Sequence, residues 1–295
     1  MSDLKTGVLC MAYGSPTTED GIEAYYTHIR GGRTPSPEAL EELKGRYRAI
    51  GGSPLTAITR EQAAALGGTL GMPTFVGMKH ASPFIADGAD EAARAGIQRL
   101  VGLPLAPHFA AMSLGAYEKT LAGAWQGELV FVRGFHDHPA FIRAVARLLQ
   151  ERLDESRPER LFFTAHSLPA RIVAEGDGYQ DRLLESCRLV EAAIDLPEWE
   201  FAFQSASTTG EPWLGPDLLS AIERSGARDV LVCPIGFVAD HLEILYDLDV
   251  EAQEFARARG IRIRRTDSFN ARPELIGALA EIVQDALAAR SPQGR

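Results

Sequence analysis

Eight short apolar runs punctuate this chain, at 7–11, 74–78, 99–105, 128–133, 161–164, 200–204, 229–235 and 261–266. Four fall in each half. The stretches between them, as at 60–70, 84–95, 139–156, 181–194 and 216–225, are long enough for crossover helices. Strands alternating with helices imply parallel sheets with both faces covered, so the fold class is α/β.

The halves also echo one another. The first run of one half ends in Ala12-Tyr13-Gly14-Ser15-Pro16 and that of the other in Ala165-His166-Ser167-Leu168-Pro169. The third runs lead into Pro107-His108 and into Pro234 through His241. Two similar domains follow from this, with a boundary near 139–158. Ligands of open α/β sheets gather beyond the carboxyl ends of the strands, where Tyr13 and His166 fall.

A chain of 295 residues accommodates two domains of ordinary size, and 45% apolar with 24% charged residues is globular composition. The formal net charge of −10 argues against a nucleic-acid or anionic-membrane binder. No run approaches the roughly 18 apolar residues of a membrane span, and the first residues lack the pattern of a signal peptide. The expected location is cytoplasmic, without stable membrane association. Cys10 and Cys233 lie inside apolar runs, far from each other and from Cys187, as buried reduced thiols do.

Within 238–251, Glu243, Asp247 and Glu251 recur every four residues. On an α-helix they share one face as a ladder about 12 Å long. Like charges at that spacing repel, so either water solvates the row or a cation uses it, and hard oxygen ligands suit divalent metals. Two plainer readings compete. Asp240 and Glu243 have the spacing of a capping box, and the row also fits a solvated acidic face.

The run 161–164 stops at His166 and turn-forming residues, so the histidine sits where strand gives way to loop. Ala165-His166-Ser167-Leu168-Pro169, together with Gly236-Phe237-Val238-Ala239-Asp240-His241-Leu242-Glu243, resembles the ferrochelatase family. The resemblance continues through 11–14, 25–30, 46–47, 49–55, 105–109 and 212–217, and it is strongest toward the bacterial coproporphyrin III ferrochelatases. It implies two Rossmann-like, chelatase-type domains with four-stranded parallel sheets, facing one cleft. The domains would be 1–145, with 272–295 packing back on it, and 146–271. The implied activity is that of a metal chelatase, a lyase inserting Fe²⁺ into coproporphyrin III in haem b biosynthesis. His166 and Glu243 would be the catalytic and metal-contacting pair, and Asp247 and Glu251 an outer path for iron or released protons. Tyr13 would reach the opposite porphyrin face and contact the metal axially.

A basic cluster at Arg30, Arg33, Lys44, Arg46 and Arg48 stands out in an acidic chain. By the resemblance, Arg30, Arg46, Tyr47, Ser53 and Tyr117 hold propionates, which guanidinium groups bind through charge-assisted bonds. Lys79 and His80 would line the cleft, with His28 and Trp213 as wall or packing residues. One departure is Gly31-Gly32 after Arg30, where close relatives tend to carry a second basic residue, so that contact with one propionate would either be weaker or come from Arg33. Ser36, Pro37 and Gly51 read as N-cap, first residue and stop of a helix over 38–50. His136 and His138 look like a metal pair but have no family counterpart.

No cofactor beyond the substrate iron is implied. Some ferrochelatases carry a 2Fe–2S cluster on four cysteines, and three cannot supply that set. The partners implied are coproporphyrin III, Fe²⁺ and a downstream coproheme decarboxylase, with no nucleic acid and a monomeric state. The competing readings are a protoporphyrin IX ferrochelatase, a cobalt or nickel chelatase, and a non-catalytic tetrapyrrole carrier, which would not need Glu243 and its ladder.

Overall fold

In the computed structural model, which describes residues 4–206 and 210–289, each of the eight apolar runs is a strand. Val8, Leu9, Cys10 and Met11 are all inaccessible to solvent, because a parallel sheet covered on both faces buries every side chain of its central strand. That strand, β1 (Thr6–Ala12), pairs with β2 (Thr74–Met78) on one side and β3 (Arg99–Pro104) on the other. Outside β3 lies β4 (Glu128–Phe131), giving the order β2-β1-β3-β4 with every pair parallel.

The second sheet repeats the pattern. β5 (Arg160–His166) is flanked by β6 (Trp199–Gln204) and β7 (Asp229–Cys233), and β8 (Arg262–Arg265) closes the order β6-β5-β7-β8, again all parallel. Tyr13 and His166 thus occupy the same topological place, at the carboxyl end of the first strand of each sheet.

The chain divides into two compact units. One comprises the described residues of 1–135, 239–241 and 269–295, the other those of 136–238 and 242–268. In the first, Leu9, Met11, Phe75, Ile85, Leu100 and Leu121 form the core on one side of the sheet. The C-terminal helix Pro273–Ala288 packs on the helix Leu55–Leu70 and on β3 and β4. In the second unit Phe162, Ile222, Val230, Val232, Ile244 and Leu248 form a corresponding core. Ile244 and Leu248 belong to the acidic segment, so burial of these apolar side chains fixes where its carboxylates point. Among the described residues no helix is long and apolar enough to cross a membrane.

Candidate metal-insertion site

The site residues of the second unit gather at the carboxyl end of β5. There the loop after β7 runs tightly against the strand, since a Cβ on Gly236 would lie 2.5 Å from the Ala165 Cβ. This approach leads the chain into the short helix Leu242–Leu245, which carries Glu243. His166 Nε2 stands 3.4 Å from Glu243 Oε1, and both side chains are about 30% exposed.

Three contacts hold the histidine. Its Nδ1 bonds the Ser167 carbonyl, its backbone carbonyl accepts from the Tyr179 hydroxyl at 3.1 Å, and the Trp213 ring lies 6.1 Å from the imidazole. A carbonyl only accepts, so Nδ1 carries the proton and Nε2 turns toward the Glu243 carboxylate. A neutral imidazole would face that carboxylate with a lone pair. A cation, whether a proton or a metal ion, is therefore favoured between them. The acid–base balance agrees. Burial opposes protonation of His166, but the Glu243 charge and bond, the Ser167 carbonyl and the Asp247 charge outweigh it and hold the imidazole above its ordinary range.

The segment beyond Glu243 departs from the expected continuous α-helix. Asp247–Glu251 is a π-helical turn, closed by the Glu251 N–H donating to the Tyr246 carbonyl five residues back at 2.9 Å. Regular α-helix resumes over Ala252–Arg259. In a wider turn, residues four apart fall closer to one line than the 40° overshoot of an α-helix allows. Asp247 is half-buried and accepts from the Ser205 hydroxyl, whereas Glu251 is exposed. The capping-box reading fits poorly, because the helix starts at Leu242 rather than at the His241 that an Asp240 cap requires. The Asp240 carboxylate accepts from the Asn270 amide at 2.9 Å, and Asn270 Oδ1 accepts from the Asp240 N–H at 2.8 Å.

In the first unit, the end of β2 is tied to the end of β1. The Lys79 and His80 N–H groups donate to the carbonyls of Ala12 and Tyr13, each at 2.9 Å. Gly14 turns the chain with φ +87° where a Cβ would press on Met78 and Ala81 at 2.9 Å. The Tyr13 ring, 42% exposed, lies 4.5 Å from that of His80. His28 joins them, its Nδ1 3.0 Å from His80 Nδ1, so that one of the two nitrogens donates to the other. Burial, then Lys79 and His28, push the His80 pKa down to about 4. Burial also lowers that of Lys79, whose Nζ lies 5.8 Å from the centre of the Tyr117 ring.

The expected propionate residues fall into two groups. Tyr47 and Tyr117 are nearly inaccessible, at 5% and 6% exposure, and burial raises the Tyr117 pKa. Arg30 and Arg46 are exposed or nearly so, while Ser53 is half-buried, its hydroxyl accepting from the Leu55 N–H at 3.4 Å. Arg30 lies over the Tyr26 ring at 5.6 Å. The positive charge of the cluster is partly offset by neighbouring carboxylates, because Arg46 pairs with Glu42 at 2.9 Å and Arg48 with Glu41 and Glu19. Gly31 and Gly32 both have positive φ, which explains glycine where a basic residue was looked for. Arg33 folds back to donate to the Arg30 carbonyl at 3.2 Å.

His136 groups with Asp137 and Glu185, their ligand atoms within 4.8 Å of one another, in a set that does not include His138. His138 caps the helix Pro139–Glu155, its Nδ1 accepting from the Ala140 N–H at 3.2 Å. His136 bonds Glu185 at 3.1 Å, 49 positions away in sequence. Tyr179 and Ser205 likewise gave no sequence signal, since each acts on a residue brought near only by the fold.

The ferrochelatase family model matches residues 5–287. The chain belongs to the ferrochelatase family. It is 40% identical over 304 residues to the coproporphyrin III ferrochelatase of Bacillus subtilis, covering 96% of this chain and 98% of that one. To the ferrochelatase of Herpetosiphon aurantiacus it is 39% identical over 299 residues, covering 95% and 98%. Among solved structures it resembles SirB from Bacillus subtilis with Fe³⁺, at TM-score 0.63 and 12% identity over 98% of both chains. It also resembles CbiX, the terminal enzyme for biosynthesis of siroheme in denitrifying bacteria, at TM-score 0.55 and 14% identity, covering 95% and 99%. At such identities these two likenesses establish the chelatase-type fold alone.

Proposed function

We propose that this ferrochelatase-family chain inserts Fe²⁺ into coproporphyrin III, yielding iron coproporphyrin for haem b biosynthesis. The observation that carries the reading is the His166–Glu243 pair, a nitrogen and a carboxylate oxygen 3.4 Å apart and poised for one cation. It stands in a chain about 40% identical, over nearly its whole length, to coproporphyrin III ferrochelatases.

Insertion requires that ferrous iron shed water and that the macrocycle lose two pyrrole protons. His166, with Nδ1 held by the Ser167 carbonyl, offers only Nε2. One nitrogen cannot ligate a metal and accept a proton at once, so the two tasks divide between the imidazole and the Glu243 carboxylate. Asp247 and Glu251 extend the negative potential away from this pair and serve as the path for iron or departing protons. Tyr13 would contact the iron from the opposite porphyrin face through its phenol oxygen. Arg30 and Arg46 take propionates, and Lys79 and His80, whose pKa values burial lowers, line the porphyrin site.

The enzyme uses no resident cofactor and carries no iron–sulfur cluster, a reading supported by three cysteines that are all buried. It acts as a cytoplasmic monomer and passes its product to a coproheme decarboxylase. Its net charge of −10 speaks against nucleic acid as a partner. Anaerobic iron insertion measured with coproporphyrin III and protoporphyrin IX side by side tests the substrate assignment. Coproporphyrin III should be the faster substrate by kcat/KM, and preference for protoporphyrin IX would overturn it.

A further inference from the structure

The last residue of β6, Gln204, lies beside His166 in the parallel register of the second sheet and is 4% exposed. Three bonds pass through it. Its backbone carbonyl accepts from the Ser167 N–H at 2.8 Å, its side-chain Oε1 accepts from the Thr164 hydroxyl at 2.8 Å, and its Nε2 donates to the Glu243 backbone carbonyl at 2.8 Å. Thr164 is itself fully buried, two residues before His166 on β5.

The chemistry of these contacts calls for an amide. The Glu243 carbonyl can only accept, so the group facing it must donate, while the group facing the Thr164 hydroxyl accepts. A glutamate there would turn a carboxylate on the carbonyl, and an apolar side chain would strand both buried partners. The following residue continues the arrangement. Ser205 adopts a left-handed backbone with φ +61°, uncommon for a residue with a Cβ, and its hydroxyl reaches the Asp247 carboxylate. The end of β6 therefore holds the backbone of Glu243 and the side chain of Asp247, and it is laced to the strand that ends in His166.

We propose that Gln204 is a positioning residue for metal insertion, fixing the Glu243 backbone through its amide so that the carboxylate stays beside His166 Nε2. Ser205 does the same for Asp247. The inference rests on the assignment of His166 and Glu243 to metal insertion. Neither Gln204 nor Thr164 touches the cation itself. Their effect is on how well the two groups that receive it are held.

The test is steady-state kinetics with Fe²⁺ and coproporphyrin III on the full chain, with rates normalised to porphyrin-binding sites counted by fluorescence titration. Gln204→Met, close in volume but without the amide, should raise the KM for Fe²⁺ and lower kcat, together roughly 10- to 100-fold in kcat/KM, as loss of groups behind metal ligands does. The porphyrin Kd should stay within about twofold. Thr164→Val should show the same split and Thr164→Ser should restore it, which a purely structural role of the hydroxyl's volume would not do. If Gln204→Met fails to fold, the Thr164 pair decides alone. Unchanged KM for Fe²⁺ and unchanged kcat per binding site in the variants that fold would overturn the proposal. Glu243→Gln run alongside separates the two claims. Turnover surviving in Glu243→Gln means the reading of the pair itself fails, whereas loss there with wild-type behaviour in Gln204→Met removes only the positioning role.

Discussion

His166 differs from an ordinary surface histidine in having each ring nitrogen committed to a different oxygen. The Ser167 carbonyl fixes the tautomer and Glu243 faces the other nitrogen. Because the Glu243 charge and hydrogen bond, the Ser167 carbonyl and the Asp247 charge together outweigh burial, the folded-state pKa lies above the ordinary 6.5. The sign follows directly. The stability this pair contributes is fully present below pH 6.5 and disappears as pH rises through the elevated folded value. NMR titration of the His166 Cε1–H in metal-free, porphyrin-free protein should give a pKa above 6.5, and Glu243→Gln should move it down. A wild-type value below 6.5 would mean that desolvation dominates. The cysteines allow a second check. Burial pushes Cys10 and Cys233 up to about 12 and raises Cys187 as well, so native protein at pH 8 should show no thiol reactive with an aromatic disulfide reagent. Three should appear in guanidinium chloride. Rapid labelling of any one in native protein would contradict the buried placement.

The elements show where sequence reading succeeds and where it stops. The central strands were legible because strands buried on both faces are written as continuous apolar runs, as in β1 and β5, whereas the edge strand β8, Arg262–Arg265, buries only Ile263 and was legible from its place in the alternation. The Ser36 cap, Pro37 and Gly51 marked the helix Pro37–Ala49 at both ends. The helices Ile22–Ile29 and Leu114–Ala124 carry no comparable signals and were not read. The π turn at Asp247–Glu251 was missed for a different reason. Acidic residues four apart suit an α-helix and a wider turn alike, and the choice is made by tertiary contacts such as the burial of Ile244 and Leu248. The pairing of His166 with Glu243 was legible only through resemblance, since nothing local connects positions 77 residues apart. One element-scale prediction follows from Gly236. A methyl group there would sit 2.5 Å from the Ala165 Cβ, so Gly236→Ala should cost about 1–3 kcal/mol in denaturant unfolding and push the Glu243 segment off β5. Activity should fall further than the fraction unfolded accounts for. A variant of wild-type stability and rate would show that this approach is not tight.

For the whole molecule, the repeated sheet order places Tyr13 and His166 at equivalent strand ends, which is the internal echo seen in the sequence. On the proposed reading substrate choice belongs at this scale, because the propionate-binding role is assigned to several groups of the first unit rather than to any one pair. Arg46 already pairs with Glu42 at the surface, so a propionate must compete with a local carboxylate. Arg46→Ala should therefore weaken coproporphyrin III at the lower end of the roughly 10- to 150-fold expected for a charge-assisted bond, and protoporphyrin IX less, in paired fluorescence titrations. Equal losses would mean that Arg46 does not select the substrate.

The central claim is that His166 and Glu243 carry out ferrous insertion, and the rate of iron coproporphyrin formation by Glu243→Gln tests it most directly. The amide keeps the shape of the side chain but removes the charge that holds a cation beside His166 Nε2 and the ability to accept a proton. Measured anaerobically at saturating coproporphyrin III, the variant should bind porphyrin as the wild type does and form essentially no iron coproporphyrin. Turnover near the wild-type rate would contradict the account and return Glu243 to a structural role.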